Sequence, residues 1–250
     1  MSAEKYLVEA QKVYDRIRNT QMRNIQKAAG FCSDSIAGGG LVHLFGSGHS
    51  VIPVLDVFPR YGSFAGFHPM MDPRLMWFDV VGPGGARELL QLERTEGYIQ
   101  AFLSNFKFEA IDTMVVYSHG GLNAAPVEVA LQAKSAGMKV VAMTSVENAR
   151  RARATHSSGK KLADLGDVVM DNCCPPQDSL VQVGDFPVAA SSTFAVITLS
   201  MALVAETAAQ LLARGVKVKP FVSPNVTTTG PEHNRQVFDE YIQKVRPRLK

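Results

Sequence analysis

The sequence predicts a single three-layer α/β domain with a parallel sheet, preceded by a helical extension. Short apolar strands alternate with helical segments from residue 41 onward, which is typical of parallel sheets with helical crossovers. Two of these strands end in loops rich in glycine and hydroxyl side chains, and each loop leads into a helix. The chain has neither an internal repeat nor a change of composition that would mark a linker.

The N-terminal segment 3–29 has apolar residues spaced three and four positions apart. This spacing predicts one long amphipathic helix. The glycine triplet 38–40 then marks a turn before the first strand. We therefore place a helical extension at residues 1–40 and the main domain at residues 41–250.

The remaining elements follow from apolar runs, helical spacing and breaker residues. A helix begins near residue 50, and Gly137 and Gly215 are expected to end two of the later helices. Further helices are predicted at 87–105, 124–136, 161–165, 192–213 and 234–245. Strands are predicted at 41–45, 64–68, 113–117, 139–144 and 168–171, with shorter extended pieces at 77–81 and 218–222.

Composition excludes several classes of function. Lys and Arg number 26 against 23 Asp and Glu, and a net charge of +3 is too small to indicate nucleic-acid binding. The three cysteines do not form a disulfide framework, and the pair at 173–174 has no second pair at zinc-binding spacing. We therefore expect neither a metal nor a cofactor.

The N-terminus is charged and lacks the apolar core of a signal peptide. The most apolar stretch, 194–204, is too short and too interrupted by Ser and Thr to span a bilayer. The expectation is a cytoplasmic protein without a membrane partner.

Loops at the ends of the predicted strands carry the side chains that point to a ligand. Ligands of parallel sheets bind beyond this edge, and a glycine-rich turn that opens a helix binds anions through free N–H groups and the helix dipole. Helix capping explains each loop taken singly, but four loops at one edge indicate a phosphorylated or polyhydroxylated small molecule. The candidate binding residues are Ser47, His49, Ser50, Ser118, His119, Gly120, Gly121, Asn123, Ser145, Ser191, Ser192 and Thr193.

Other ligand motifs do not fit. The loop after residue 45 lacks the third glycine of a dinucleotide fingerprint, and Ala154 stands where a P-loop would need its upstream glycine. The chain also has no Gly-x-Ser-x-Gly nucleophile elbow.

An ordered set of segments resembles the SIS (sugar isomerase) domain family, and in particular its sugar isomerase domain-containing branch. The set begins with Phe45-Gly-Ser-Gly-His-Ser, Leu92-Glu-Arg-Thr-Glu-Gly-Tyr and Ser118-His-Gly-Gly-Leu-Asn-Ala-Ala-Pro-Val-Glu-Val-Ala. It continues with Met143-Thr-Ser, His156-Ser-Ser-Gly-Lys-Lys-Leu, Asp164-Leu-Gly-Asp-Val-Val-Met-Asp-Asn and Phe221-Val-Ser-Pro-Asn. The resemblance implies a flavodoxin-like αβα sandwich with five parallel strands, a homodimer or higher homo-oligomer, and a sugar phosphate held between Ser/Thr-rich loops.

The sequence departs from the family pattern at two places. Gly120 stands where related loops commonly carry a second serine, so one hydroxyl donor is lost. The paired glutamates that usually precede Phe-x-Arg are replaced by Leu55-Asp56. The anion is therefore held differently, or the substrate is not an ordinary sugar phosphate.

Aldose–ketose isomerisation needs a base that moves a proton between adjacent carbons and donors that stabilise an enediolate. The candidate carboxylates are Glu93, Glu96 and Glu128, of which Glu128 is equally explained by its favourable place in the first turn of a helix. The resemblance implies that a glutamate early in a helix of this region is the base, which favours Glu96 over Glu93. It also implies a histidine supplied by a neighbouring subunit, for which His233 and His68 are candidates.

Three functions are consistent with these residues. The first is a sugar or sugar-phosphate isomerase of the aldose–ketose type. The second is a lyase or deglycase of the same family, which also begins with proton abstraction by a carboxylate. The third is a sensor that binds a sugar phosphate without turning it over.

Overall fold

The computed structural model describes residues 1–225 and 230–250. Five parallel strands form one sheet in the order β2-β1-β3-β4-β5. This order is that of flavodoxin-like sheets, and it confirms the predicted fold and the parallel pairing of its strands. The strands are β1 Val42–Gly46, β2 Phe67–Met70, β3 Thr113–Tyr117, β4 Lys139–Thr144 and β5 Val168–Asp171.

Ten α-helices surround this sheet in the described part of the chain. The helices before β4 are α1 Ser2–Thr20, α2 Met22–Ala37, α3 Val51–Val57, α4 Ala86–Leu92, α5 Tyr98–Leu103 and α6 Ala124–Ser135. Those after it are α7 Val146–Arg151, α8 Leu162–Leu165, α9 Ser192–Ala213 and α10 Pro231–Val245.

Side chains alternate between the two faces of the sheet, and each face is covered by helices. On one face, Val115 and Tyr117 of β3 pack in a core with residues of α1, α2, α3 and α9. On the other face, Met114 and Val116 pack with residues of α5, α6 and α8. The three layers are therefore complete, and every residue of β1, β3 and β4 except Lys139 is buried.

The single N-terminal helix predicted at 3–29 is wrong, because the structure has two helices that meet at Gln21. The Gln21 side chain is buried, and its amide oxygen accepts a hydrogen bond from the backbone N–H of Asp171 at 2.9 Å. This contact with the end of β5 ties the helix break to the sheet. The boundary at residue 40 stays a prediction, and α1 and α2 share one core with the sheet.

The predicted helix at 87–105 is also wrong, because residues 93–97 connect two shorter helices, α4 and α5. Gly97 adopts φ +81°, a left-handed backbone conformation that interrupts a helix. The extended piece predicted at 77–81 forms only an isolated bridge between Asp79 and Gly85. Strand β2 begins at Phe67 rather than residue 64, since Gly66 has φ +137°.

Two strands were missed. Strands β6 Ser179–Val183 and β7 Phe186–Ala190 form an antiparallel hairpin outside the main sheet. All five residues of β7 are exposed, so this strand lacks the buried apolar face by which strands are recognised in a sequence.

Helix α9 has the length and apolar composition of a membrane span. In the structure, α9 packs against α2 and α3, and Ala195, Leu199 and Leu203 are buried in the core. Its apolar character is therefore accounted for by its place in the fold.

Candidate functional site

A cleft of about 300 Å³ opens where β1 and β3 end, and loops from both strands line it. Ser47, His49 and Ser50 line one side, and Ser118, Gly120 and Asn123 line the other. The structure thus brings together the two loops that the sequence selected.

The first loop turns sharply because Gly46 has no side chain. A Cβ on Gly46 would lie 2.0 Å from the carbonyl oxygen of Ser50, so no other residue fits here. The chain then forms a short 3-10 turn, Gly48–Ser50, before α3 begins. This turn leaves Ser47 buried at the bottom of the cleft and the Ser50 side chain half-buried at its wall.

Glu93 lies at the bottom of the cleft. It is 6% exposed, and its Oε2 accepts a hydrogen bond from the Ser47 hydroxyl at 2.7 Å. Its backbone carbonyl accepts a hydrogen bond from the N–H of Ala125 in the first turn of α6 at 3.0 Å. Within residues 1–225 and 230–250, the second carboxylate oxygen of Glu93 makes no hydrogen bond, so it is free to act on a ligand.

The second loop uses its two glycines differently. Gly121 has φ +64°, and a Cβ there would lie 2.8 Å from Oγ1 of Thr144. Its N–H donates to the Ser118 hydroxyl at 3.1 Å and is therefore already bonded within the loop, so a ligand contact at Gly121 stays a prediction. Gly120 lines the cleft, and its carbonyl accepts a hydrogen bond from the Asn148 amide at 2.8 Å.

His119 also lines the cleft, but both of its ring nitrogens are held by the protein. The amide nitrogen of Asn172 lies 3.0 Å from Nδ1, and the Pro176 carbonyl oxygen lies 3.2 Å from Nε2. Because the Asn172 amide oxygen accepts from the Cys174 N–H, its nitrogen must point at His119 and donate. The proton of His119 is therefore on Nε2, and the ring supports the loop rather than presenting a donor to the cleft.

An apolar wall completes the cleft, and none of its residues is among those predicted from the sequence. Trp77, Ala86, Leu89 and Leu90 line this side. The Trp77 ring lies 4.5 Å from the His49 ring, centroid to centroid, at 66°. Trp77 is the only tryptophan of the chain, a signal that could mark it, whereas the apolar run at 77–81 predicts only a short extended piece.

Glu96, the favoured base in the sequence analysis, does not line this cleft. It lies in a smaller neighbouring cleft with Arg94, Thr155 and His156. Both carboxylate oxygens already accept hydrogen bonds from Ser157, one from its N–H at 2.7 Å and one from its hydroxyl. These bonds hold the pKa of Glu96 below its usual range, which makes it a weaker base. The geometry therefore favours Glu93.

Ser145, Ser191 and Ser192 were predicted to bind the ligand, but none of them lines the cleft, and all three are bonded within the protein. Ser145 is buried; its hydroxyl accepts from the Asn148 N–H at 3.2 Å and donates to the Cys174 carbonyl at 2.9 Å. The Asp178 carboxylate accepts from the N–H groups of Ser191 and Ser192 and from the Ser192 hydroxyl. The adjacent Thr193 is half-buried and does not line the cleft.

Asp178 thus occupies the N-terminus of α9, where a ligand anion was expected. Burial opposes its charge, but the hydrogen bonds from Ser191 and Ser192 outweigh this effect and hold its pKa below the usual range. The fourth loop is therefore closed by the protein's own carboxylate.

The two histidines considered for a neighbouring subunit have different surroundings. His68 is buried, and its Nδ1 lies 2.8 Å from the Tyr241 hydroxyl, so His68 cannot reach another subunit. His233 is half-buried in α10, and its Nε2 lies 2.7 Å from the Pro220 carbonyl oxygen. It lies outside the cleft of its own chain, and its action in a partner's site stays a prediction.

Comparison with known proteins identifies the family of this chain. The family model of the SIS domain matches residues 5–145. UPF0309 protein BH3325 of Halalkalibacterium halodurans is 31% identical over 234 residues, which cover 93% of this chain and 94% of that protein. UPF0309 protein TTE0306 of Caldanaerobacter subterraneus is 32% identical over 247 residues, covering 96% and 98%.

Two solved structures share the fold. Phosphoheptose isomerase GmhA from Neisseria gonorrhoeae superposes with a TM-score of 0.56 and 14% identity, covering 83% of this chain and 97% of that one. A phosphoheptose isomerase from Francisella tularensis gives a TM-score of 0.55 and 16% identity, covering 83% and 98%. With more than half of its residues in the family match and relatives aligned along nearly its whole length, this chain belongs to the SIS domain family.

Proposed function

We propose that this protein binds a sugar or sugar phosphate in the cleft and interconverts its aldose and ketose forms, with Glu93 as the base. The observation that carries this proposal is the buried Glu93 carboxylate, held by the Ser47 hydroxyl at 2.7 Å with one oxygen left for a ligand. The fold shared with two phosphoheptose isomerases supports the same reaction type.

In this reaction, Glu93 takes the proton from the carbon next to the carbonyl group and returns it to the neighbouring carbon. The enediolate formed in between carries negative charge on its oxygens and needs hydrogen-bond donors. Ser118 keeps its hydroxyl proton for this purpose, because its oxygen accepts from Gly121 and its own hydrogen is not used in the described structure. Asn123 lines the cleft and makes no capping bond with its side chain.

An anionic group on the sugar fits at the N-terminus of α6. This helix has 12 residues, and its first flanking residue, Asn123, lines the cleft and makes no side-chain capping bond. The positive end of the helix dipole therefore lies beside the cleft. On the opposite side, Trp77 and Leu89 offer an apolar surface to the C–H groups of the sugar ring.

The test begins with binding. Because Trp77 is the only tryptophan and lines the cleft, its fluorescence reports ligands at this site directly. Sugar phosphates, sulfonated sugars and free sugars are titrated, and each ligand that binds is incubated in D₂O and followed by NMR. An isomerase produces the second sugar and incorporates deuterium at the carbon that exchanges its proton.

Glu93→Gln and Glu96→Gln then separate the two carboxylates. Glu93→Gln keeps the shape and should leave the ligand Kd within a few-fold while lowering turnover by about 10²- to 10⁴-fold. Glu96→Gln should turn over at close to the parent rate. Full turnover by Glu93→Gln would exclude Glu93 as the base. Products with a broken ether or amine bond would indicate a lyase or deglycase, and binding without any turnover would indicate a sensor.

A further inference from the structure

The segment 93–97 that carries Glu93 follows α4, and the N–H groups of residues 93–95 still donate to carbonyls of that helix at 2.9–3.2 Å. The N–H groups of Glu96 and Gly97 make no such bond in the described structure, so contacts from elsewhere must hold this end of the segment. Two contacts come from α6. The Ala125 N–H donates to the Glu93 carbonyl at 3.0 Å, and the Glu128 side chain accepts from the Gly97 N–H at 2.7 Å. The segment is therefore attached to α6 at both of its ends.

Glu128 makes its contacts with one oxygen only. The residue is 7% exposed, and Oε1 faces both the Gly97 N–H and Nε2 of His156, which lies at 3.4 Å. Oε2 is buried and has no partner in the described residues. Everything that Glu128 does in this arrangement needs one acceptor oxygen, which an uncharged glutamine also provides.

His156 directs its proton at this carboxylate. Its Nδ1 accepts from the backbone N–H of Ser158 at 3.1 Å, so the ring proton is on Nε2. Nε2 lies between Glu128 and Glu96, 3.4 Å from one and 3.7 Å from the other. The His156 side chain is 7% exposed, so water competes little for this proton.

The residues around His156 connect the two sides of the cleft. The Thr155 hydroxyl donates to the carbonyl of Leu122 in the second loop at 2.7 Å. Two residues further on, Ser157 donates to Glu96 in the segment that carries Glu93. One short stretch of chain therefore holds both the loop that receives the ligand and the segment that carries the carboxylate.

From these contacts we infer that Glu128 and His156 are positioning residues, which hold segment 93–97 and thereby keep the Glu93 carboxylate at the bottom of the cleft. The part of this inference that concerns catalysis rests on the proposed role of Glu93. Neither residue lines the cleft, so they act through the segment and do not contact the ligand.

The first test needs no substrate. Amide hydrogen exchange is compared in the parent, Glu128→Ala, Glu128→Gln and Glu147→Ala, the last being an exposed glutamate-to-alanine control on α7. In Glu128→Ala, the amides of 93–97 should exchange about tenfold faster or more, while the amides of β3 and β4 keep their protection. Glu128→Gln and Glu147→Ala should match the parent. Equal rates at 93–97 in all four proteins, or a uniform acceleration that includes the strands, would overturn the inference.

The second test uses a substrate from the fluorescence screen. Glu128→Ala should lower kcat by about 10- to 100-fold with the ligand Kd nearly unchanged, because a displaced base costs rate rather than binding. Glu128→Gln should restore kcat. The kcat of His156→Gln should exceed that of His156→Phe. If Glu128→Gln is as slow as Glu128→Ala, Glu128 acts chemically and the positioning role is wrong. Faster amide exchange at 93–97 in Glu128→Ala, together with full turnover by Glu93→Gln, would separate the two proposals. Glu93 would then not be the base, but Glu128 would still hold segment 93–97 in position.

Discussion

Glu93 and Glu96 are three residues apart and have opposite surroundings. Glu93 is buried against one hydroxyl and keeps an oxygen free, whereas Glu96 is partly exposed and has both oxygens bonded to Ser157. A base must be able to accept a proton from the substrate, so a carboxylate whose oxygens are occupied is a poor candidate. The difference between them comes from the backbone turn at Gly97 and from a loop some 60 residues further along the chain.

The hydroxyls of the first loop should have separable effects on binding and on catalysis. Ser50 lines the cleft, and its hydroxyl makes no hydrogen bond in the described structure, so Ser50→Ala removes a donor to the ligand. Binding should weaken by roughly 1–3 kcal/mol if the ligand group is charged. Ser47→Ala removes the donor to Glu93 and should mainly lower kcat. Titration of Trp77 fluorescence and initial rates measure the two effects, and an unchanged Kd in Ser50→Ala would remove Ser50 from the site.

His68 should make stability depend on pH. Burial, with a smaller contribution from the neighbouring His43, lowers the pKa of His68 to about 3. In the unfolded chain His68 takes up a proton as pH falls below about 6.5, while the folded protein does not until about pH 3. The free energy of unfolding should therefore decrease as pH is lowered from about 6.5 to about 3. This group contributes a decrease of up to about 1.4 kcal/mol per pH unit.

The measurement is urea unfolding of the parent and His68→Gln at about pH 7 and about pH 5. The glutamine cannot titrate but can still bond the Tyr241 hydroxyl, so other pH-dependent groups cancel in the comparison. The parent should lose about 2 kcal/mol more than the variant over this interval. Equal losses would mean that His68 is protonated in the folded protein.

At the scale of elements, the loop after β3 determines the shape of the cleft, and its geometry depends on close packing against β4. Gly121 approaches Thr144 at the end of β4, and the Thr144 hydroxyl in turn donates to the His119 carbonyl at 3.1 Å. The loop therefore has no space for a side chain at this position.

Gly121→Ala and Gly159→Ala form a matched pair. Both glycines have a left-handed backbone, with φ +64° and +69°, but a Cβ at Gly159 would meet nothing within 4 Å. Gly159→Ala should cost only the backbone strain, about 1–2 kcal/mol. Gly121→Ala should cost at least about 1 kcal/mol more, because Thr144 must move. Urea unfolding measures the free energy of unfolding of both variants. Equal losses of stability would show that Thr144 moves aside at no cost.

At the scale of the whole molecule, apolar side chains remain exposed at one end of the sandwich. Leu7 of α1 is 68% exposed and Phe186 of β7 is 72% exposed. The two elements are in contact, since the Tyr6 hydroxyl donates to the Ala190 carbonyl at 3.1 Å. We predict that these exposed apolar residues lie at the interface of the homodimer or higher homo-oligomer that the sequence also predicted, with the N-terminal helix at that interface.

Light scattering at micromolar concentration should give a mass of at least two chains. Leu7→Glu should shift the equilibrium toward the monomer, since it places a charge in the apolar surface. Gln11→Glu, the same change of one negative charge at an exposed polar position of the same helix, serves as the control. A parent protein with the mass of one chain would contradict the prediction.

The sequence alone determined the sheet. Strands β3, β4 and β5 were predicted with the bounds that the structure has, because their buried apolar runs lie between breaker residues and need no distant partner to be recognised. The sequence also predicted that the loops after β1 and β3 lie side by side, because parallel strands end at the same edge of a sheet. The family was also predicted from the sequence, because short segments that resemble SIS domain motifs occur in order along the chain.

The tertiary structure decided which of the candidate residues meet. The N-terminal helix breaks at Gln21, whose side chain accepts a hydrogen bond from the backbone N–H of Asp171, 150 residues away. Asp178 takes the N–H groups of Ser191 and Ser192 that a sequence reading left for a ligand. Glu93 is favoured over Glu96 only because Ser47 and Ser157 reach them from distant loops. Hydrogen bonds between residues far apart in the chain have no local pattern, so only the folded protein reveals which donors and acceptors remain free.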